Sequence, residues 1–559
     1  MSEPERARRE LDAWRRSLPA DPYEADDELR VLNRSHLEGT RHDDLHRRAS
    51  ELGRAVTAVI GPAAERYEQR EHLPELARYD GLGHRVEEVR FDPAYDAAGA
   101  AVWKSGLVRD CGTPGRAFEQ ATLLYLLSLE GEAGHVCPAT CTIGLARALR
   151  RRAADAVRDR FLPPLLVTDY DRTQRASQFL TEVQGGSDVG ANACRAVAQP
   201  DGTYLISGEK WFCSVADAEQ FLVTARPEGA PEGTRGLGCF VVPRRIDGAP
   251  NGFSLRRLKD KLGTRGMASA EIDFDAAVAW PIGPVSEGFK TAVEIVLNTS
   301  RWATAIGSTG MMRRALVEAS GYARHRRAFG RPIVEYPLVR ETLAEMHMGW
   351  LGALRLVWVL TDLEDRIDAG TASEEDVLFH RFMVNAVKYV ASSRASAVVR
   401  QGIEVLGGNG TIEDFSVLPR LYRDAVVYES WEGTHNVLVA QILRDLGRLP
   451  ILDVVRTRVS EMLEDSDSEA AALAIPALDD ALEGVARSVE EPDFGAAHFR
   501  RLLDRLMCTV EVGALVRGAT PRSAAAADLL VHLRLVPGYR PESDPEFDGR
   551  VDVLVAPEE

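Results

Sequence analysis

The sequence predicts an α+β multidomain protein: an N-terminal helical domain, a middle antiparallel β-barrel or sheet domain, a C-terminal four-helix bundle, and an extra C-terminal helical domain. Three observations predict it. The texture is helical from about residue 60 to 175, short β-rich runs alternate with Gly, Pro and Asp turns from Ser177 to about 285, and long helical stretches return after Gly288. At 559 residues the chain is too long for one core, since single cores stop growing at roughly 250–300 residues. The changes of texture place an N-terminal extension at 1–60, a helical domain at 61–176, the β domain at 177–285, the bundle at 286–448 and the last helical domain at 449–559.

Residues 1–60 are highly charged, are punctuated by Pro19 and Pro22, and read as a helical or partly disordered extension. Within 61–176, the run from Ala117 to Leu127 is apolar enough for a buried helix, and the run from Ile143 to Arg150 is amphipathic. The β domain rests on runs such as Tyr204-Leu205-Ile206, Gln220-Phe221-Leu222-Val223-Thr224 and Gly238-Cys239-Phe240-Val241-Val242. Ala270 to Phe274 alternates apolar with charged, and no helix-length pattern intervenes, which predicts an antiparallel sheet or barrel. Long helices are predicted over 311–329, 339–363 and 374–405, separated by Gly or Pro, as a bundle requires. Beyond residue 450 the chain carries 11 Arg and no Lys against 22 Asp and Glu, with helices expected near 470–489 and 499–516.

Composition excludes several roles. The formal net charge of -17 argues against general nucleic-acid binding, which needs cations in excess. The seven cysteines are irregularly spaced; only Cys137 and Cys141 are close, and nothing completes a metal site, so no metal is expected. The charged N-terminus lacks the apolar core of a signal peptide, and no stretch approaches 18 apolar residues. A cytoplasmic protein with no membrane association is expected.

Five stretches carry chemistry. Thr181-Glu182-Val183-Gln184-Gly185-Gly186-Ser187-Asp188 sits where helices give way to strands. Its glycines allow close backbone approach to a ligand and its hydroxyls supply donors, although alone it also reads as a polar turn. It is neither a Walker loop nor a Rossmann fingerprint. Lys210-Trp211-Phe212-Cys213-Ser214 suits the edge of a planar heteroaromatic cofactor, or equally an aromatic strand in a core. Arg324 to Gly330 ends a helix, with Gly330 as a C-terminal cap; its arginines serve either the helix dipole or a pyrophosphate. Glu404-Val405-Leu406-Gly407-Gly408-Asn409-Gly410 opens a loop, and Trp431-Glu432-Gly433-Thr434 precedes a helix, either as a cap or as a base held against a ligand.

In this order and at these separations the five stretches resemble the acyl-CoA dehydrogenase family, whose pattern runs through T-E-x-x-x-G-S-D, K-W-x-x-[ST], R-x-x-F-G, a G-G-x-G loop and [YW]-E-G-[TS]. The resemblance covers roughly residues 100–445. Arg78-Tyr79-Asp80 through Val89-Arg90-Phe91-Asp92-Pro93, the run Arg257 to Gly263, Met311-Met312-Arg313-Arg314-Ala315 and the extra C-terminal region point to its AidB-like branch.

The resemblance implies an FAD cofactor. Leu180 to Ser187, Gly186 included, would line the flavin, with Thr181 near the isoalloxazine and Ser187 near the pyrophosphate or substrate. Phe212 and Ser214 would sit beside the ring, the Ser214 hydroxyl near N5. Arg326, Phe329, Gly407 and Gly408 would contact FAD across a subunit boundary, and Thr434 and Asn436 would hold its adenine half or diphosphate. Glu432 occupies the position of the catalytic glutamate. Some family members place the base before an Arg on an earlier helix; here that residue is Ser300, which cannot serve, and Arg301 beside it is expected to contact substrate. The implied reaction removes an α-proton from an acyl-CoA thioester and passes a β-hydride to flavin N5, with the carbonyl polarised in an oxyanion-hole arrangement. A homotetramer or dimer of dimers is implied, and the electron acceptor is left open.

Two departures stand out: Glu404 replaces a frequent Gln, where a carboxylate beside a diphosphate is costly unless paired, and Phe212 replaces a common Trp. Two competing readings stand beside the dehydrogenase. One is a flavin oxidase or monooxygenase acting on a non-CoA substrate. The other is an AidB-like, DNA-associated protein of alkylation protection, which the acidic C-terminal region disfavours.

Overall fold

The computed structural model describes residues 2–557. The chain divides into two compact units, one of Leu45–Ala303 and one of Met1–Asp44 with Thr304–Glu559.

The chain begins with α1 (Glu3–Ser17), α2 (Asp27–His36) and α3 (Gly39–Ala55). Ser2 and Glu5 form a capping box on α1, and Asp26 caps α2 through the Leu29 amide; each satisfies an amide that a helix start leaves open. Of the two readings of this region, the helical one holds, because its apolar and charged residues have partners. Trp14 is fully buried, donates Nε1 to the Glu318 carbonyl at 3.2 Å and stacks on Phe415. Arg313 pairs with Asp26 at 3.3 Å, and Arg355 with Glu28 at 3.0 Å.

In the Leu45–Ala303 unit, α4 (Gly61–Tyr67), the strands β1 (Glu75–Tyr79) and β2 (Arg85–Arg90), then α5 (Pro93–Lys104), α6 (Ala117–Leu127), α7 (Val136–Arg152) and α8 (Asp155–Phe161) lead into the sheet. Every residue of α6 is buried, in keeping with its unbroken apolar run. On α7, buried Arg147 donates to Gln120 at 2.9 Å and Thr299 at 3.2 Å, with its guanidinium over the Trp302 ring. The β1–β2 hairpin corrects the expectation of helix throughout 61–176. Val86 and Val89 fall out of strict alternation, so the strand period is hidden. The turn signal decides instead: Asp80 accepts the Leu82 and His84 amides at 2.8 and 2.9 Å.

The strands that follow are β3 (Ala176–Phe179), β4 (Arg195–Ala198), β5 (Tyr204–Ser214), β6 (Gln220–Pro227), β7 (Gly238–Pro243), β8 (Arg245–Ile246), β9 (Ala249–Pro250), β10 (Phe253–Leu258) and β11 (Ser269–Pro281). Pairing runs β11–β5–β4–β6–β7 and returns from β7 to β11, which closes a ring of five strands. Closure leaves the ring itself without open edges, which otherwise invite aggregation. β10 and β3 extend it beside β11 and β6. The β3–β6 and β4–β6 pairs are parallel, a departure from an all-antiparallel sheet; β6 is reached through β5 rather than by a hairpin from either neighbour. Phe179, Phe221 and Phe274 meet in the interior.

After α9 (Gly288–Thr291) and a π-helical turn at Ala292–Leu297 comes α10 (Asn298–His325), which starts well before the predicted residue 311. Then follow the two-residue strands β12 (Arg327–Ala328) and β13 (Arg331–Pro332), α11 (Pro337–Ala369), α12 (Glu374–Leu406), α13 (Leu418–Ser430) and α14 (His435–Leu446). Gly370, left-handed at φ 74°, ends α11, and a Ser373–Asp376 capping box starts α12. The C-terminal helices are α15 (Ile451–Glu464), α16 (Glu469–Glu490), α17 (Pro492–Val516), α18 (Pro521–Arg534) and α19 (Phe547–Val555). A partly buried bidentate pair, Arg394 to Glu511 at 2.7 and 2.9 Å, ties α12 to α17. Among the described residues no helix is long and apolar enough to cross a membrane.

Candidate active site

The Thr181–Asp188 segment is a loop leaving β3, and it is fastened from beneath. Glu182 is buried and accepts Lys210 Nζ at 2.8 Å, the Ala193 amide at 2.6 Å and the Cys194 amide at 3.2 Å. Lys210, wholly buried on β5, also donates to the Leu180 carbonyl at 3.3 Å, which accepts Asn192 Nδ2 at 2.7 Å as well. Burial opposes ionisation of Glu182, but the Lys210 charge and these donors outweigh it and hold the carboxyl below its usual range. With its underside pinned, the loop turns Gly186, Ser187 and Asp188 outward, away from that buried ion pair. Gly186 cannot carry a side chain without cost: a Cβ there would lie 2.8 Å from Thr181 Oγ1.

The same ion pair brings the second stretch to the first. The Trp211 amide donates to the Thr181 carbonyl at 3.0 Å. A bulge in the β5–β11 register, where Cys213 faces Ala270 but Lys210 faces Ile272, breaks strict alternation, so Lys210 and Cys213 are both buried and Phe212 is about half exposed. Ser214 Oγ lies 3.1 Å from Ser269 Oγ, and Lys261 Nζ donates to Ser269 Oγ at 3.2 Å. Lys259 holds its ammonium 3.6 Å from the Trp211 ring centroid. In this unit, too, Ser300 donates to Gln178 at 3.1 Å, and Arg301 is buried.

In the other unit, Glu432 occupies the turn between α13 and α14. Its φ is +56°, the left-handed region that non-glycine residues avoid, and Gly433 follows at φ 108°. Lys388, fully buried on α12, donates 2.9 Å hydrogen bonds to the Glu429 and Gly433 carbonyls. Trp431 stacks on buried Tyr428, with centroids 4.7 Å apart. Thr434 is the N-cap residue of α14, but its hydroxyl makes no capping hydrogen bond. Asn436 Oδ1 accepts Arg500 from α17. His435 Nε2 lies 3.2 Å from Ser392 Oγ. Burial, then the Lys388 charge, lowers the His435 pKa.

Arg326 to Gly330 is not a capped helix end. α10 stops at His325, and Phe329 and Gly330, at φ 50° and 92°, form the two-residue turn between β12 and β13. Left-handed conformations at both turn residues match the right-handed strand twist, so Gly330 serves a hairpin rather than a helix cap. Phe329 is 97% exposed. Arg326 Nη1 lies 4.0 Å from Glu10. Nearby, Asn409 donates to Tyr322 OH at 3.1 Å, which brings the Gly407–Gly410 loop beside the end of α10. At Gly407 (φ 64°) and Gly408 the space that a Cβ would occupy is open, with no heavy atom beyond the chain neighbours within 4 Å. Glu404 is exposed and lies 3.5 Å from Arg400, so its carboxylate has a partner.

The comparisons with known proteins agree with this anatomy. Residues 16–172 match the adaptive response protein AidB N-terminal domain, 177–277 the acyl-CoA dehydrogenase middle domain, and 286–447 the acyl-CoA dehydrogenase C-terminal domain. The putative acyl-CoA dehydrogenase AidB of Escherichia coli is 35% identical over 71% of this chain and 73% of its own length. The chain belongs to the acyl-CoA dehydrogenase family. Acyl-CoA dehydrogenase family member 11 of Caenorhabditis elegans is 32% identical over 80% of this chain and 74% of that protein. A crystal structure of C. elegans ACDH-11 in complex with C11-CoA superposes with a TM-score of 0.84 at 27% identity, covering 94% of this chain and 92% of that one. The AidB-like assignment is therefore carried by the N-terminal match as well as by sequence identity.

In this acyl-CoA dehydrogenase family member the structure adds three residues that the motifs do not single out: Glu182, Lys210 and Lys388. The first two lie inside motifs, and Lys388 lies outside all five. A buried partner is invisible in one dimension; the available signal is a lone Lys on an apolar helix face, as in Ala386-Val387-Lys388-Tyr389-Val390.

Proposed function

We propose that this acyl-CoA dehydrogenase-type oxidoreductase binds FAD and oxidises an acyl-CoA thioester, with Glu432 as the base that takes the α-proton. The observation that carries this reading is the Glu432 turn: a carboxylate in a left-handed backbone conformation, pinned by buried Lys388. Strain of this kind costs of order 1–3 kcal/mol and persists where function maintains it.

The residues present fit FAD. The Gly407–Gly408 backbone is open for close approach, and Gly186 leaves room against Thr181. Phe212 offers an exposed ring face, with the Ser214 hydroxyl two residues on. Leu180, Thr181, Gly186, Ser187, Phe212 and Ser214 would hold the flavin; Arg326, Phe329, Gly407, Gly408, Thr434 and Asn436 would hold the rest of the cofactor. FAD, when bound, supplies the acceptor for the β-hydride. The Glu432 carboxylate takes the proton from the α-carbon, its own backbone N–H polarises the thioester carbonyl, and Ser187 and Arg301 contact the substrate. Two features support the substrate class: Glu at this position, and the C11-CoA bound by the worm relative. A homotetramer, in which the almost fully exposed Phe329 would meet another subunit, is part of the proposal. A cytoplasmic location is part of the proposal.

The test is anaerobic titration of the purified flavoprotein with short, branched and aromatic acyl-CoAs. At least one should bleach the flavin, and Glu432→Gln should abolish bleaching while FAD remains bound. Failure of every acyl-CoA refutes the dehydrogenase reading; normal turnover by E432Q refutes the base.

A further inference from the structure

One face of α12 reaches the turn that carries Glu432. Lys388, Ser392 and Ser396 are spaced four apart and so line a single stripe of the helix. Lys388 Nζ donates to the Glu429 and Gly433 carbonyls at 2.9 Å each. Ser392 Oγ lies 3.2 Å from Nε2 of His435, the first residue of α14. Ser396 Oγ donates to the Glu429 carboxylate. The stripe therefore grips the last turn of α13 and the first residue of α14, on both sides of Glu432.

The Glu429 carbonyl is among the last of α13, which have no helical acceptor role left, and a cation there is favoured by the helix dipole. A wholly buried ammonium is nonetheless expensive, so its placement needs a return. Its two carbonyls bracket the residue whose backbone is left-handed. Glu432 cannot relax to an extended or right-handed conformation without moving the Gly433 carbonyl off Lys388.

We propose that Lys388 is a positioning residue for the base: its ammonium locks the turn that aims the Glu432 carboxylate and its backbone N–H at the substrate. This rests on Glu432 being the base, and the experiment separates the two claims. The probe is 3-thiaoctanoyl-CoA, which has sulfur in place of the β-carbon and so cannot give a hydride. In D2O the base breaks the α C–H bond, takes the proton and returns a deuteron, and mass spectrometry of the thioester follows the exchange. If the wild-type flavoprotein does not exchange, or E432Q exchanges as fast as wild type, the base assignment fails, and this inference with it.

If wild type exchanges and E432Q does not, Lys388→Met decides. Exchange should slow about a hundredfold, the loss that misplacement by about 1 Å produces, with analogue affinity, bound FAD and melting temperature retained. Lys388→Arg, which keeps a cation and several donors, should recover much of the rate. Exchange by K388M at the wild-type rate overturns the proposal. So does a K388M protein that fails to fold or loses flavin and stability in step with rate, since that marks a purely structural lysine. A well-folded K388R no faster than K388M also overturns it.

Discussion

Lys210→Met is the sharpest test of how the Thr181–Asp188 loop is built. Lys210 and Glu182 are 0% and 3% exposed and 2.8 Å apart. At an effective dielectric near 20, their attraction is about 6 kcal/mol before desolvation is subtracted. Removing the lysine strands a buried carboxylate whose remaining partners are two amides and Gln184, and it strips a donor from the Leu180 carbonyl. Breaking a buried pair costs about 3–5 kcal/mol, whereas an exposed pair costs about 1 kcal/mol or less. Guanidinium unfolding followed by tryptophan fluorescence reads the loss directly, since Trp211 adjoins Lys210. The double variant K210M/E182Q should regain most of it, because no uncompensated charge remains. A loss below about 1 kcal/mol, or a double variant no more stable than the single, refutes the buried-pair account.

The same carboxyl gives a pH prediction. Glu182 is held below its unfolded value, so its contribution is complete above about pH 4.3 and disappears as pH falls through the lower folded value; the stability gap between wild type and K210M, measured across that range, should narrow in acid. Gly186→Ala forces the loop away from Thr181 Oγ1, and the flavin-to-protein absorbance ratio should fall while the apoprotein's melting temperature holds. Trp14→Ala empties a fully buried site that also donates to Glu318; urea unfolding should show a loss of about 3–5 kcal/mol.

Much of the architecture was legible because texture changes are one-dimensional signals. The apolar run of α6 and the alternation around Ile272 each report their own burial. The five motifs were legible because each is confined to a few consecutive positions. Long-range facts were not. The β1–β2 hairpin is set by an Asp80 turn rather than by strand alternation, and Gly330 looks the same in a helix cap and a hairpin turn. Glu182 and Lys210 are 28 residues apart in sequence, and only the folded loop lying against β5 shows that the T-E and K-W motifs are two halves of one ion pair. Lys388 gives even less away, since a lysine in a long helix is ordinarily solvated.

The left-handed backbone at Glu432 also bears on evolution at that position. A left-handed residue with a side chain costs about 1–2 kcal/mol relative to glycine. Replacing Glu432 with Gly should therefore raise the melting temperature of the protein while removing its carboxylate, and Asn or Asp should be tolerated better than Val, Ile or Thr. A saturation library at residue 432, scored separately for thermal stability and for proton abstraction, should place Gly first for stability and Glu first for proton abstraction, with Val, Ile and Thr low on both. Selection for stability alone would erase Glu432, whereas selection for the proposed proton abstraction would keep it.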